Sequence, residues 1–304
     1  MHSRWTWRFL ALPGVAWLSV FFLLAFYAVV AVAFGNQNTL SEPVPFWNPL
    51  DWNVGYMLAT LRDIVHGGPF LTVFVRTFVF VAFALVLSLL IGYPVAYFAA
   101  RHAGRWKGLV LLLLILPFWI NYLMRMLAWI NLLAPDGLGT RALSAIGIER
   151  LFISADLLAA RGGWLEGQPF TVIMALTYGY LPFLILPLYA SLDRIDQRHI
   201  EAARDLGASP AGAFFRVTLP LSRPGVLAGM VLIALPMFGD YYTQDLVSSS
   251  PKTSMFGNQI DLLTRQGSQK VEGACLTLVL AVLLLGLMVY YLRATRSADD
   301  RGDD

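Results

Sequence analysis

Two carboxylates and three aromatic side chains lie close together between residues 238 and 245. The carboxylates belong to Asp240 and Asp245, and the rings belong to Phe238, Tyr241 and Tyr242. A carboxylate supplies negative charge and accepts hydrogen bonds, and an aromatic face attracts a nearby cation by about 0.5–2 kcal/mol. This combination predicts a site that a cation passes.

Asp240 needs an explanation because it follows a long apolar run. An ionised side chain at the centre of a membrane helix costs about 2.5–3.5 kcal/mol on insertion scales. Pro236 and Gly239 can break the helix there and expose backbone carbonyls, as transport pathways often do. Two other interpretations stay open: Asp240 forms an ion pair with Arg125, or the tyrosines simply lie at the membrane interface.

Trp119 and Tyr122 are three residues apart, so on one helix they would share a face and could form an aromatic wall of the same pathway. Ordinary packing explains the pair equally well. Arg125 follows them and is expected to face the interior of a helix bundle as structural support. Arg76 is expected near the outer membrane surface, with its charged end extended toward water.

Motifs that carry enzymatic chemistry are missing from the sequence. There is no phosphate-binding G-x-x-x-x-G-K-[ST] loop, no H-E-x-x-H and no G-x-S-x-G. The four histidines do not have metal-ligand spacing, and the one cysteine, Cys275, lies in an apolar run. A membrane enzyme built on Asp240 and Asp245 is therefore only an alternative, as is a passive channel.

A second informative segment is the polar interval 193–223. Ile200, Ala203 and Leu206 have the spacing of a short amphipathic helix. Gly207 is expected to end that helix, and Ser209 followed by Pro210 to start another. Glu201 and Asp205 are then available to pair with a partner protein.

The elements that position these residues are membrane helices. The chain has 304 residues, of which 58% are hydrophobic and only 13% are charged. Soluble domains carry about 25% charged residues. Long apolar runs predict an all-α bundle of six transmembrane helices at about 9–34, 70–100, 108–134, 170–192, 225–247 and 273–292. The first run is too long for a cleaved signal peptide, so a retained helix is expected.

Lys and Arg are more frequent at the two termini and in the intervals 101–107 and 193–223 than in the other loops. The positive-inside rule places these segments in the cytoplasm, including a tail at 293–304. The net charge of +3 fits such loops and does not indicate binding to nucleic acid.

The interval 193–223 contains Glu201, Ala202 and Ala203, then Gly207, then an aliphatic residue, Val217, ten residues further on, and then a Leu-Pro pair. This pattern resembles the EAA loop of permease subunits of binding-protein-dependent ABC importers. The resemblance covers the whole chain and implies the type I importer (MetI-like) fold. It also implies a bacterial inner membrane location, a second permease chain, an external solute-binding protein and a separate ATPase dimer. That ATPase would bind ATP and magnesium, and this chain would need no cofactor. The resemblance implies that the interval 193–223 is a coupling segment, which docks in a groove of the ATPase and transmits its closure. The residues implied for coupling are Glu201, Ala202, Ala203, Asp205 and Gly207.

Further segments are similar to the polyamine (spermidine/putrescine) permeases of this family. They include Leu116 to Trp119, Leu181 to Phe183, Pro187 to Leu192, and Gly257 with Asn258. Asp240 departs from the expected pattern. Permeases for opines, aminophosphonates or iron share the same general features and remain alternatives.

Overall fold

The structure is a computed structural model that describes residues 4–39, 42–154 and 163–299. Helices account for nearly all of its regular structure, and the exception is a two-residue antiparallel pair of strands. The elements in the first part of the chain are α1 Arg4–Ala33, β1 Asn36–Gln37, β2 Pro43–Val44, α2 Gly55–Val65, α3 Pro69–Arg101, α4 Lys107–Ile115, α5 Tyr122–Leu133, α6 Leu138–Ala145 and α7 Ile148–Ser154. The remaining helices are α8 Pro169–Arg194, α9 Gln197–Asp205, α10 Pro210–Ala213, α11 Leu219–Leu221, α12 Arg223–Phe238, α13 Tyr242–Val247, α14 Phe256–Arg265 and α15 Lys270–Asp299.

Four of these helices, α1, α3, α8 and α15, are long and apolar enough to cross a membrane. Two bent pairs bring the number to as many as six. The first pair, Gly104–Trp119 with Tyr122–Leu133, bends by 89°, and the second, Pro210–Leu221 with Arg223–Phe238, bends by 60°. The all-helical membrane fold predicted from the sequence is therefore found.

Two predicted spans differ from the observed helices. The interval 108–134 is not one helix, because Ile120 is extended and Asn121 caps the start of α5 by accepting a hydrogen bond from the Leu123 N–H. The interval 225–247 is also divided, since α12 ends at Phe238 and α13 begins at Tyr242. The expected tail at 293–304 begins as a continuation of α15, and residues 300–304 lie outside the described ranges.

The chain divides into two compact units, residues 1–72 with 259–283, and residues 73–258 with 284–304. In the first unit, Ala33 at the end of α1 packs against Val271, Ala274 and Cys275 of α15. The Cys275 thiol donates to the Ala33 carbonyl at 3.3 Å, so this cysteine serves as a small core residue.

The second unit contains the candidate site, and α8 lies against both α3 and α12 within it. Small residues allow this close approach. A Cβ added at Gly225 of α12 would lie 2.3 Å from the Cβ of Ser191, and one at Gly229 would lie 2.7 Å from Leu184. Gly92 of α3 also lies against α8, with Leu184 at 3.3 Å. Small residues at such contacts are typical of helices packed inside membranes.

We expect Gly225→Val to destabilise the chain by about 1–3 kcal/mol, because a larger side chain must push α12 away from α8. Thermal unfolding of the purified protein in detergent measures the effect. Gly286→Val is the matched control, since nothing lies within 4 Å of a Cβ at that helical position. Equal unfolding temperatures for the two variants would contradict the close-packing argument.

Candidate functional site

Asp240 lies where the helical path between α12 and α13 is interrupted. Pro236 cannot donate a backbone hydrogen bond, and α12 ends two residues later at Phe238. The Gly239 carbonyl approaches Gly257 so closely that a Cβ there would lie 2.6 Å from it. A glycine is therefore required at position 257, and the 257–258 segment lies directly against the break.

Four hydrogen bonds hold the Asp240 carboxylate. Its Oδ1 accepts from the Thr243 backbone N–H at 2.9 Å. Its Oδ2 accepts from the hydroxyls of Thr243 at 2.6 Å, Tyr180 at 3.0 Å and Tyr122 at 3.3 Å. Tyr122 also contacts the Thr243 hydroxyl. The side chain of Asp240 thus joins α5, α8 and α13.

Asp240 is 7% exposed, and no cation among the described residues forms an ion pair with it. A buried charge is tolerated only when hydrogen bonds replace its lost hydration, and the three hydroxyls and one N–H supply them. One consequence is structural, because Asp240 caps the start of α13. The other is electrostatic, because an uncompensated negative charge in a low-dielectric region attracts a cation strongly.

The ion pair with Arg125 left open by the sequence is absent from the described part of the chain. The Arg125 guanidinium instead lies over the rings of Phe118 and Tyr122, with its central carbon 4.8 and 5.3 Å from their centroids. Tyr122 therefore contacts Arg125 through its ring and Asp240 through its hydroxyl.

The other acid of the predicted site, Asp245, is exposed on α13. Its Oδ1 accepts from the Asn258 amide at 2.9 Å, and the same amide donates to the Tyr241 carbonyl at 2.7 Å. The rings of Tyr241 and Tyr242 stack with centroids 4.1 Å apart, and Tyr242 is half exposed. These residues present aromatic and carboxylate groups next to the buried Asp240.

Two predicted pathway residues lie elsewhere. Trp119 is 82% exposed and precedes the break at 120–121, so it does not share a helix face with Tyr122 as expected. Phe238 is buried and packs edge-on against Phe78 at 4.9 Å, which makes it a packing residue of the break.

The expected position of Arg76 near the outer membrane surface stays a prediction, and its side chain is half-buried. Its guanidinium donates to the carbonyls of Pro251 at 2.9 Å and Ser254 at 3.2 Å. Backbone carbonyls in the 251–254 turn thus satisfy this intramembrane arginine. No local sequence pattern could have identified partners so distant in the chain.

Sequence reasoning missed three residues of the site, Tyr180, Thr243 and Asn258. The contact to Thr243 could have been found in part, since an aspartate at a helix start commonly accepts the backbone N–H of the residue two or three positions on. Tyr180 comes from α8, and only the packing of the bundle brings its hydroxyl to Asp240.

The predicted coupling segment forms two short helices. Asp196 caps α9 by accepting from the Arg198 N–H at 3.0 Å, and Ser209 caps α10 by accepting from the Gly212 N–H at 3.1 Å. Gly207 ends α9 as predicted, with φ of +87° and its N–H donating to the Arg204 carbonyl at 2.9 Å. This left-handed conformation favours glycine.

The residues predicted for coupling are accessible. Glu201, Ala202, Asp205 and Gly207 are exposed, and Ala203 is half-buried. Leu206, directly after α9, is 90% exposed, whereas Ile200 and Ala203 on the same face are half-buried, so the described parts of this chain leave the end of that face uncovered.

The coupling segment is attached to the end of α3. Arg101 donates to the Ile195 carbonyl at 2.7 Å, and the hydroxyls of Tyr93 and Ser222 are hydrogen-bonded at 2.8 Å. Phe214, in a π-helical turn between α10 and α11, contacts the Tyr93 ring edge-on at 5.7 Å. These three contacts join the segment from Ile195 to Ser222 to α3.

The sequence matches the family described as binding-protein-dependent transport system inner membrane component over residues 3–296. It is 31% identical over 290 residues to the spermidine/putrescine transport system permease protein PotB of Haemophilus influenzae, covering 92% of this chain and 91% of that protein. It is 34% identical over 213 residues to PotB of Escherichia coli K12, covering 70% of this chain and 74% of that protein.

A similar fold occurs in a bacterial alginate ABC transporter solved in complex with an alginate pentasaccharide-bound periplasmic protein. That structure matches with a TM-score of 0.68 at 15% identity, covering 97% of this chain and 95% of the other. The relatives are transport subunits, not enzymes. The apolar helices, the fold and the family match lead to one conclusion: this chain is a multi-pass inner membrane protein that belongs to the permease components of binding-protein-dependent ABC transport systems.

Proposed function

We propose that this chain is the permease subunit of an ATP-driven importer for a polyamine, spermidine or putrescine. The observation that carries the proposal is the buried Asp240 carboxylate, which has no cation partner among the described residues and is surrounded by tyrosines. The similarity to two polyamine permeases supports the same substrate class.

Asp240 would attract an ammonium group of the cargo. From the described residues its Oδ1 accepts only the Thr243 N–H, so a further acceptor position remains for a charged donor. The faces of Tyr241 and Tyr242 would attract further ammonium or methylene groups of the flexible chain. Asp245, exposed nearby on α13, would receive the cargo earlier on its path.

The segment from Asp196 to Ser222 would couple this pathway to a separate ATPase. Glu201 and Asp205 line an open groove of about 400 Å³ together with Arg204, Ala208 and Pro210. These exposed groups, with Ala202, Ala203 and Gly207, would dock on the ATPase dimer, which binds ATP and magnesium. This chain would contribute no cofactor.

The complete transporter would contain a second, similar but non-identical permease chain, which lies in the lipid bilayer with this one. An external solute-binding protein would deliver the cargo to the two chains. Both termini of this chain would be cytoplasmic. The distribution of Lys and Arg supports this orientation, because the termini and the 193–223 interval carry the larger basic share.

Uptake of labelled spermidine into cells with and without this chain tests the proposal. We expect ATP-dependent uptake to be lost on deletion, and unlabelled putrescine but not a neutral sugar to compete in the complemented cells. Unchanged spermidine uptake on deletion would move the substrate to another class, such as an opine, an aminophosphonate or iron. Uptake that continues without ATP would contradict the importer itself.

A further inference from the structure

Arg125 is a buried arginine whose charge is not matched. It is 7% exposed, and its Nε has no hydrogen-bond partner. Within the described ranges, no hydrogen bond or ion pair to any part of its guanidinium occurs, and the guanidinium lies over the faces of Phe118 and Tyr122. Aromatic faces attract a guanidinium but cannot accept its hydrogen bonds as oxygen does.

Arg76 shows what a satisfied intramembrane arginine looks like in the same unit. Its guanidinium donates to two backbone carbonyls of the 251–254 turn. Such pairing is the rule for charged groups in membrane segments, because an unpaired buried charge is costly. Arg125 lacks the oxygen acceptors that Arg76 has. We therefore expect an anion to pair with Arg125 in another state of the protein.

Asp240 is the acid placed to be that anion. Tyr122 lies between the two groups, with its ring 5.3 Å from the Arg125 guanidinium and its hydroxyl 3.3 Å from Asp240 Oδ2. The Tyr122 hydrogen bond is the longest of the four that reach the carboxylate, and the other three come from Thr243 and Tyr180. Displacement of one tyrosine would open the way between the opposite charges.

Both charges also lie next to interruptions of helices. Arg125 is in the first turn of α5, directly after the break at 120–121, where the path bends by 89°. Asp240 lies in the break between α12 and α13. Backbone at such breaks can change direction without disrupting a continuous run of helical hydrogen bonds.

We propose that Arg125 is a resident counter-cation that competes with the cargo for Asp240. In the arrangement described, Tyr122 separates the two charges, so Asp240 can accept an ammonium group. When the breaks move, Arg125 pairs with Asp240, the local charge is neutralised, and the cargo is released. The inference rests on the proposed function and adds the step that frees the cargo.

State-dependent crosslinking tests the approach of the two positions. Cys275 is the one cysteine in the sequence, so Cys275→Ser gives a cysteine-free background. Arg125→Cys with Asp240→Cys, in the assembled transporter, is treated with a short bifunctional thiol reagent. We expect crosslinking to rise at least about fivefold between the resting state and the vanadate-trapped state, because the pair forms only during the cycle.

The control pair is Arg76→Cys with Ser254→Cys. The Arg76 guanidinium already reaches the Ser254 carbonyl, so this pair is expected to crosslink equally in both states. A yield for positions 125 and 240 that is the same in every state, or absent from every state, overturns the inference.

Release of bound cargo gives a second measurement. We expect Arg125→Gln to slow the release of labelled spermidine from the trapped transporter by about tenfold, since a charged hydrogen bond that drives displacement is lost. Arg125→Lys keeps the charge and should recover part of the rate, while Arg76→Gln should leave release unchanged in transporters that co-purify with all subunits. Normal release from Arg125→Gln overturns the proposal.

The cargo site at Asp240 and the counter-cation role of Arg125 are distinguished by two outcomes. If Asp240→Asn leaves spermidine uptake intact, the proposed cargo site is wrong. If Asp240→Asn impairs uptake but the crosslink does not depend on state, only the counter-cation role is wrong.

Discussion

Replacing Asp240 with asparagine is expected to reduce ATP-dependent spermidine uptake by about 10- to 150-fold, which corresponds to the loss of one hydrogen bond to a charged group, about 1.5–3 kcal/mol. The fold should survive the change. The asparagine oxygen can still accept from the Thr243 N–H, and its amide can donate to the hydroxyls of Tyr122 and Tyr180, which also act as acceptors. The variant therefore removes the negative charge but keeps the size of the side chain and its hydrogen bonds.

Initial uptake rates in cells that produce equal amounts of the assembled transporter provide the measurement. Asp261→Asn is the matched control, because Asp261 is an acid of α14 that pairs with Arg265 at 2.8 Å on the surface. Such surface pairs contribute about 0–1 kcal/mol, so uptake should be unchanged. If the Asp240→Asn variant takes up spermidine at the wild-type rate, the cargo-binding role is contradicted and Asp240 serves only to cap α13.

Local features of the site could be predicted from the sequence because they depend on neighbouring residues. Pro236 and Gly239 are close enough in sequence to indicate the interruption before Asp240, and Gly207 indicates the end of α9. Apolar composition likewise predicts the long helices α3 and α8, since membrane spans are defined by length and polarity.

Features that depend on packing between distant segments could not be predicted. Tyr180 reaches Asp240 only because α8 lies beside the break, and Arg76 finds carbonyls 175 or more residues away in sequence. Tyr122 contacts Arg125 through its ring and Asp240 through its hydroxyl, and this arrangement depends on the packing of α5 near the break after α12. Opposite charges in apolar segments suggest a pair, but sequence spacing carries no information about a ring placed between them.

The bend before α5 has local signals in the sequence. Pro117 lies at the start of a 3-10 segment that begins at Leu116, and the Asn121 side chain caps the next helix. Hydropathy alone does not detect these signals, because the run 108–134 is apolar throughout. Hydropathy therefore predicts one continuous helix, on which Trp119 and Tyr122 would share a face.

The second large effect on transport is expected from a substitution in the coupling segment. We expect Gly207→Val to reduce transport by more than about tenfold, because position 207 has φ of +87°. A left-handed conformation costs a residue with a Cβ about 1–2 kcal/mol, and a branched Cβ raises this cost. The last turn of α9 would unwind, because the N–H of Gly207 and of Ala208 satisfy the carbonyls of Arg204 and Ala203 there. Glu201 and Asp205 would no longer be presented on one rigid helix.

The same variant should leave membrane insertion and unfolding temperature nearly unchanged. Nothing lies within 4 Å of a Cβ at position 207, so valine meets no steric obstacle and acts through the backbone alone. Gly207→Asn is the matched variant, since asparagine tolerates the left-handed region, and it should retain most transport. Transport and stimulation of ATP hydrolysis by the loaded binding protein are measured together. If valine and asparagine behave alike, backbone geometry at Gly207 does not govern coupling, and the exposed face of α9 must act through its side chains instead.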